Sequence, residues 1–140
     1  MRARVLCFLF LLALSSSRSA LAGICVGTLE DCQLVVNFER NSAVLTEEAR
    51  NRVQAFSRLL KERRLPIGGI MIEGFTDASG NDDYNFALSK RRARSVVKYL
   101  VEQGVDASKL IAKGYGKTHP TTLDPYDPAN RRVEVRWSVE

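Results

Sequence analysis

From Leu34 onward, short apolar runs alternate with longer stretches in which the apolar positions keep helical spacing. Leu34-Val35-Val36-Asn37-Phe38 is short and β-branched, which predicts a strand. Ala49, Val53, Phe56, Leu59 and Leu60 then share one helical face, predicting a helix over residues 46–64. Thr46 supplies its N-cap, Glu47 and Glu48 its acidic first turn, Lys61, Arg63 and Arg64 its basic end, and Pro66 its stop. Residues 67–75 contain Ile70-Met71-Ile72, apolar on both faces as in an interior strand. A second helix starts near Asn81 or Asp82, with Phe86, Ala93, Val96 or Val97 and Leu100 as its core stripe and Gly104 just past its end. Residues 109–115 read as a third strand and residues 116–130 as a polar loop. In the closing segment Val133, Val135, Trp137 and Val139 alternate with polar residues, as in a half-buried strand.

The predicted order is therefore β-α-β-α-β-β. Strands that alternate with helices imply crossover connections, so the expected fold class is α/β, built as an α+β sandwich: a mixed four-stranded sheet with helices packed on one face. The last strand returns without a helix and is expected to run antiparallel to a neighbour.

The segment ahead of this domain reads differently. Arg2 and Arg4, an apolar run from Val5 to Leu14, Ser15-Ser16-Ser17 and Ala20-Leu21-Ala22 follow the order of a secretory signal peptide over residues 1–22. The apolar run falls short of the roughly twenty residues a membrane span needs, so no transmembrane segment is expected after cleavage. The full chain has a net charge of +5; without Arg2, Arg4 and Arg18 it keeps 18 basic against 16 acidic residues, a net +2. Such modest basicity does not point to nucleic acid. Export would allow Cys25 and Cys32 to close a short disulfide loop within residues 23–33, the alternative being two free thiols. No metal site or cofactor is expected, because His119 is the only histidine and two thiolates do not complete a zinc shell. The domain proper spans residues 34–140.

Candidate chemistry gathers at the end of the second strand. Asp77 falls just past it, where α/β sheets present ligand groups. Asn85 and Arg92, close to two helical turns apart, share a face with Leu88 and Ser89 that can turn back toward Asp77. A carboxylate and a guanidinium at one mouth suit a zwitterion such as a free amino-acid centre. The same pair also suits an internal salt bridge that pins loop to helix, and pattern alone leaves both readings open.

The residues that carry this constellation resemble a known family. Gly74-Phe75-Thr76-Asp77-Ala78-Ser79-Gly80, then Asn85 through Leu88-Ser89 to Arg92-Ala93, then Gly114-Tyr115-Gly116 and Asn130-Arg131-Arg132-Val133-Glu134 are similar to the motifs of the OmpA-like peptidoglycan-binding domain. The resemblance runs from about Leu34 to Val139. It implies non-covalent binding of cell-wall peptidoglycan through the diaminopimelate of its stem peptide. Asp77 and Arg92 would take the ligand's charged groups and Asn85 would line the site. Phe38-Glu39-Arg40-Asn41 would form another wall, with Asn41 in contact, and either Arg131 or Arg132 would complete it. Replacing Asp77 or Arg92 by alanine is expected to abolish binding and leave the fold intact. The location implied is the periplasm, in association with the outer membrane or cell wall, with envelope proteins as further partners. The loop over residues 116–130 lacks the family's usual glycine-arginine stretch.

Other functional classes fit less well. Glu73 and Asp77 suggest a carboxylate pair, but no Ser-His-Asp or Cys-His arrangement accompanies them, and no enzyme is expected. Lys90, Arg91 and Arg94 form a basic helix face without the interleaved aromatics of a nucleic-acid surface. A protein-interaction module that keeps the fold and has lost the wall ligand is the remaining alternative.

Overall fold

A computed structural model describes residues 33–63 and 67–139. The signal segment, its cleavage and the Cys25–Cys32 pairing lie outside the described residues. The elements are β1 (Leu34–Asn37), α1 (Glu47–Arg63), β2 (Ile67–Gly74), α2 (Asp82–Glu102), β3 (Leu110–Gly114) and β4 (Arg132–Val139). Their order matches the sequence expectation, with short 3-10 turns at Ala107–Lys109 and Pro128–Asn130.

The helix boundaries follow from capping chemistry. Thr46 Oγ1 accepts the Ala49 amide at 3.1 Å, and Asn81 Oδ1 accepts the Tyr84 amide at 2.8 Å, each satisfying a first-turn donor without an intrahelical partner. At the far end of α2, Gly104 takes φ 86 and lets Val105 donate to the Leu100 carbonyl at 3.0 Å, closing the helix.

The four strands lie in the order β1-β4-β2-β3, with β4 antiparallel to both neighbours and β2 parallel to β3. The last strand thus sits inside the sheet. Val135 lies opposite Leu34 on one side and Ile72 on the other. Both helices cover the face that carries Leu34, Val36, Ile70, Ile72, Val133 and Val135. Ala49, Val53, Phe56 and Leu60 come from α1, and Ala93, Val96 and Leu100 from α2. The rings of Phe56 and Trp137 meet at 5.1 Å. The opposite face is polar, with Glu73, Glu134 and Arg136 beside Met71 and Ile111.

One expectation on α2 is corrected. Phe86 is 55% exposed and stands outside the core. The buried stripe instead runs through Asn85, Leu88, Ser89, Arg92, Ala93, Val96 and Leu100. Its first half is polar, and that half faces the end of β2.

The helix can come that close because of two glycines. Gly74 and Gly114 are register partners on β2 and β3. A Cβ on Gly74 would lie 2.0 Å from the Ser89 carbonyl oxygen, and one on Gly114 would lie 2.6 Å from the Lys90 nitrogen. Backbone therefore packs on backbone at the one place where helix and strand ends must meet.

Phe56→Ala should cost about 3–5 kcal/mol in urea unfolding, the range for a buried phenylalanine. Phe86→Ala should stay within about 0.5 kcal/mol of wild type, as for an exposed position. Gly74→Ala should lose at least the 1–3 kcal/mol or so of an overpacked core, since the opposing atom is main chain and cannot rotate away.

Candidate functional site

Three chain segments converge at the C-terminal end of β2. The first is the turn after β1, where Asn41 adopts φ 54 and Ser42 donates to the Glu39 carbonyl at 3.3 Å. The second is the loop 75–81, held by Thr76 N–H to the Gly116 carbonyl and Ala78 N–H to the Pro125 carbonyl, both 2.8 Å. The third is the polar half of α2's buried stripe.

Arg92 joins them. It is fully buried, and its guanidinium donates Nε–H to the Ser42 carbonyl at 2.9 Å, Nη1–H to the Phe75 carbonyl at 2.9 Å and Nη2–H to the Glu39 carbonyl at 3.0 Å. Its charge also lies 5.3 Å over the Phe38 ring. Burial lowers its pKa to about 10, with the nearby Asp77 carboxylate opposing that shift and Arg131 adding to it. It remains protonated at neutral pH. The helical spacing thus brings Arg92 to the Asp77 loop, as the sequence suggested, but not to an open mouth. Three of its five N–H donors are held by main chain, so this one side chain ties the turn after β1 and the start of the Asp77 loop to α2.

Asp77 itself is nearly closed off. Its Oδ1 accepts the Ser79 amide at 3.0 Å, a turn that fixes the carboxylate's direction. Its Oδ2 receives Nη1–H of Arg131 at 3.2 Å, with side-chain exposures of 16% for the arginine and 8% for the aspartate. Arg131 is held in turn by its Nε–H donated to the Phe38 carbonyl at 3.1 Å. One carboxylate therefore pairs with one guanidinium and lies in the field of a second.

Two further groups deepen the site. Asn85 is buried with its Nδ2 unpaired, and Thr76 is buried with its Oγ1 unpaired, among the described residues. Buried polar atoms without partners are costly and rare, and they mark places built for something else. Ser89 links the pieces, since its Oγ accepts the Gly116 amide at 2.9 Å and donates to the Phe86 carbonyl at 2.8 Å. Sequence reasoning gave neither Thr76 nor Ser89 a site role. The signal was a run of polar residues at core spacing on α2.

The choice between Arg131 and Arg132 resolves by alternation. Arg131 faces Asp77, whereas Arg132 projects to the uncovered side of the sheet, so its candidacy for this site is corrected. There Arg132 donates Nε–H to Glu134 at 2.7 Å and Nη2–H to the His119 carbonyl at 3.1 Å, and lies 4.1 Å over Phe75. Arg136 bridges Glu134 at 2.9 Å and Glu73 at 3.3 Å, and Tyr115 donates its hydroxyl to Glu73 at 3.2 Å. Glu73 thus belongs to this ladder and forms no acid pair with Asp77. Asn41 is exposed on the turn that Arg92 holds, and no side-chain contact ties it to Asp77. Among the described residues, no cluster of His, Cys, Asp or Glu could hold a metal ion, and no helix is long and apolar enough to cross a membrane.

The molecule is a mixed sheet with two helices on one face and a buried charged cluster at the end of β2. The chain matches the OmpA family over residues 37–134 and belongs to it. That family is one of peptidoglycan-associated binding modules rather than enzymes. Over 100 residues the chain is 36% identical to outer membrane protein A of Escherichia fergusonii, covering 71% of this chain and 41% of that protein. It spans less than half the length of the curated relatives it matches. Among solved structures it is similar to the peptidoglycan-associated lipoprotein of Burkholderia pseudomallei, with 28% identity and a TM-score of 0.68, covering 74% of this chain and 89% of that one. It is likewise similar to the OmpA-like domain of FopA1 from Francisella tularensis, with 25% identity and a TM-score of 0.68 over 77% of this chain and 75% of that one.

Arg92→Ala should lose about 3 kcal/mol or more in urea unfolding, because it strands buried carbonyls that now receive a charged donor. The outer ladder predicts a pH effect. Burial alone would push the Glu134 carboxyl up, but hydrogen bonds from Arg136 and Arg132 outweigh it and hold the group below the ordinary carboxylate value. A depressed folded pKa contributes stability above the unfolded value and loses it as pH falls through the folded one. Denaturant midpoints should therefore drop as pH falls below the ordinary carboxylate range, and Glu134→Gln should flatten that drop while lowering stability at neutral pH.

Proposed function

We propose that this chain is an exported, periplasmic wall-binding domain that grips the diaminopimelate of the peptidoglycan stem peptide without covalent chemistry. The observation that carries this reading is the nearly buried carboxylate of Asp77, paired with Arg131 and within the field of the Arg92 guanidinium. The free end of diaminopimelate bears an ammonium and a carboxylate on one carbon. Asp77 accepts from the ammonium, and the paired guanidiniums attract the carboxylate. Asn85 Nδ2 and Thr76 Oγ1 offer further hydrogen bonds to the ligand's carboxyl or amide oxygens. The turn bearing Asn41 forms the facing wall. Kinship with a lipoprotein whose name records peptidoglycan association supports the choice of polymer. Association with the outer membrane or with other envelope proteins is part of the same reading.

A second reading has one specific support. Asp77 is already paired with Arg131 and almost unexposed, as a purely structural residue would be. In that case the domain keeps the fold and serves only as a protein-interaction module.

Co-sedimentation with insoluble peptidoglycan separates the two. The chain without its first 22 residues should pellet with the wall, and Asp77→Asn should reduce the bound fraction by a loss of about 2–5 kcal/mol in affinity. A folded wild type that stays in the supernatant would overturn the wall reading.

A further inference from the structure

The exposed side of α2 carries a charge pattern that its own packing does not use. Between Asp83 and Glu102 the helix has no acidic residue, while Lys90, Arg91, Arg94 and Lys98 all stand exposed on the side away from the sheet. Lys90 and Arg94 are one helical turn apart, as are Arg94 and Lys98, so like charges follow one another along the helix. Such pairs weaken a helix by about as much as opposite charges strengthen it. Among the described residues no carboxylate pairs with Lys90, Arg91 or Arg94, and Arg91 only leans over the Tyr84 ring at 5.8 Å. Lys98 reaches Glu102 at 4.0 Å with both side chains exposed, a contact that contributes little. Cations elsewhere on the surface are answered, Lys117 by Asp82 and Arg136 by Glu73 and Glu134. Beside the row, Arg50 of α1 adds another cation on the lining of a groove of about 280 Å³ that also holds Val44, Lys98, Tyr99 and Glu102.

We propose that this face of α2, with Arg50 beside it, docks on an anionic lipid surface. A row of unpaired cations gains from a plane of fixed negative charge, about fivefold in partition for each cation close to the headgroups. The row lies on the convex outer side of a helix, which a plane meets along its length. Val44 and Val101, 69% and 42% exposed, offer apolar contacts at its border. The groove at Arg50 has Glu102 on its lining and would repel an acidic peptide, so the face suits a plane better than an inserted segment. Among the described residues no helix is able to cross a membrane, so this contact is peripheral and screened by salt. Asp77 is held by Ser79 and Arg131 and not by this row, so the docking stands apart from the wall reading.

The test is co-sedimentation with vesicles of equimolar phosphatidylcholine and phosphatidylglycerol, against vesicles of phosphatidylcholine alone. The protein is the chain without residues 1–22, since every element of the fold lies within residues 34–139. Wild type should pellet with the anionic vesicles only, and high salt should release it. Arg94→Gln should lower the partition coefficient about fivefold. The double variant Lys90→Glu, Arg94→Glu should bring binding down to the level of the neutral vesicles. Both positions are exposed, and Arg94→Gln should raise the urea midpoint at low salt by relieving its repulsion with Lys90 and Lys98. Lys113→Gln removes a cation from the uncovered sheet face, opposite the helices, and should leave the partition unchanged. Equal pelleting with both vesicles, an unchanged partition in the charge-reversed variant, or an equal loss in Lys113→Gln would overturn the proposal. So would a folded wild type that ignores anionic vesicles.

Discussion

A guanidinium cannot shed its proton at neutral pH, so burying one obliges the surrounding main chain to receive it. Arg92 imposes that condition on this fold. Its acceptors come from the turn after β1 and from the first residue of the Asp77 loop, segments that share no ladder with α2. The three carbonyls spread the charge and fix both walls of the pocket at once. The arginine then acts on Asp77 through its field, from beneath, while another residue makes the direct contact. An arginine so placed is architecture first. Its removal would disturb the turn, the loop and the helix together, so loss of binding in such a variant would not identify a ligand contact.

The same geometry demands a close seat for α2. Gly74 and Gly114 clear that space, and Ser89 fills the remaining gap by linking the helix to Gly116. Any side chain at either glycine would lift the polar half of the helix away from β2 and draw Arg92 off its acceptors. The glycines and the arginine thus serve one constraint, although they lie on different elements.

Much of this was legible in the sequence. Element types and order followed from period and capping, since Thr46, Asn81 and Gly104 each carry their signal locally. The approach of Arg92 to Asp77 followed from helical spacing. Depth did not. Whether an arginine on a helix lies at a mouth or beneath it depends on how far the helix sinks, and that is decided by glycines on two other strands. Phe86 was misplaced for the same reason: the buried stripe is rotated toward Asn85 and Ser89, so polar residues take positions an apolar count assigns to phenylalanine. The assignment of Arg131 and Arg132 needed the register of β4, because adjacent residues of an extended chain point to opposite faces.

That alternation places two charged clusters on opposite sides of one strand, and they differ in balance. On the uncovered face, Arg132 and Arg136 meet Glu73 and Glu134 in equal number. Each carboxylate there has a cationic partner. At Asp77, one carboxylate pairs with Arg131 and lies in the field of Arg92, two guanidiniums to one acid. Burial of the carboxylates does not distinguish the two clusters, since Glu134 and Asp77 are 9% and 8% exposed. The imbalance does. A buried excess of one sign is tolerated only where carbonyl dipoles dilute it or where a ligand completes it. Arg92 has the dipoles, and Arg131 has the carboxylate of Asp77 and the Phe38 carbonyl.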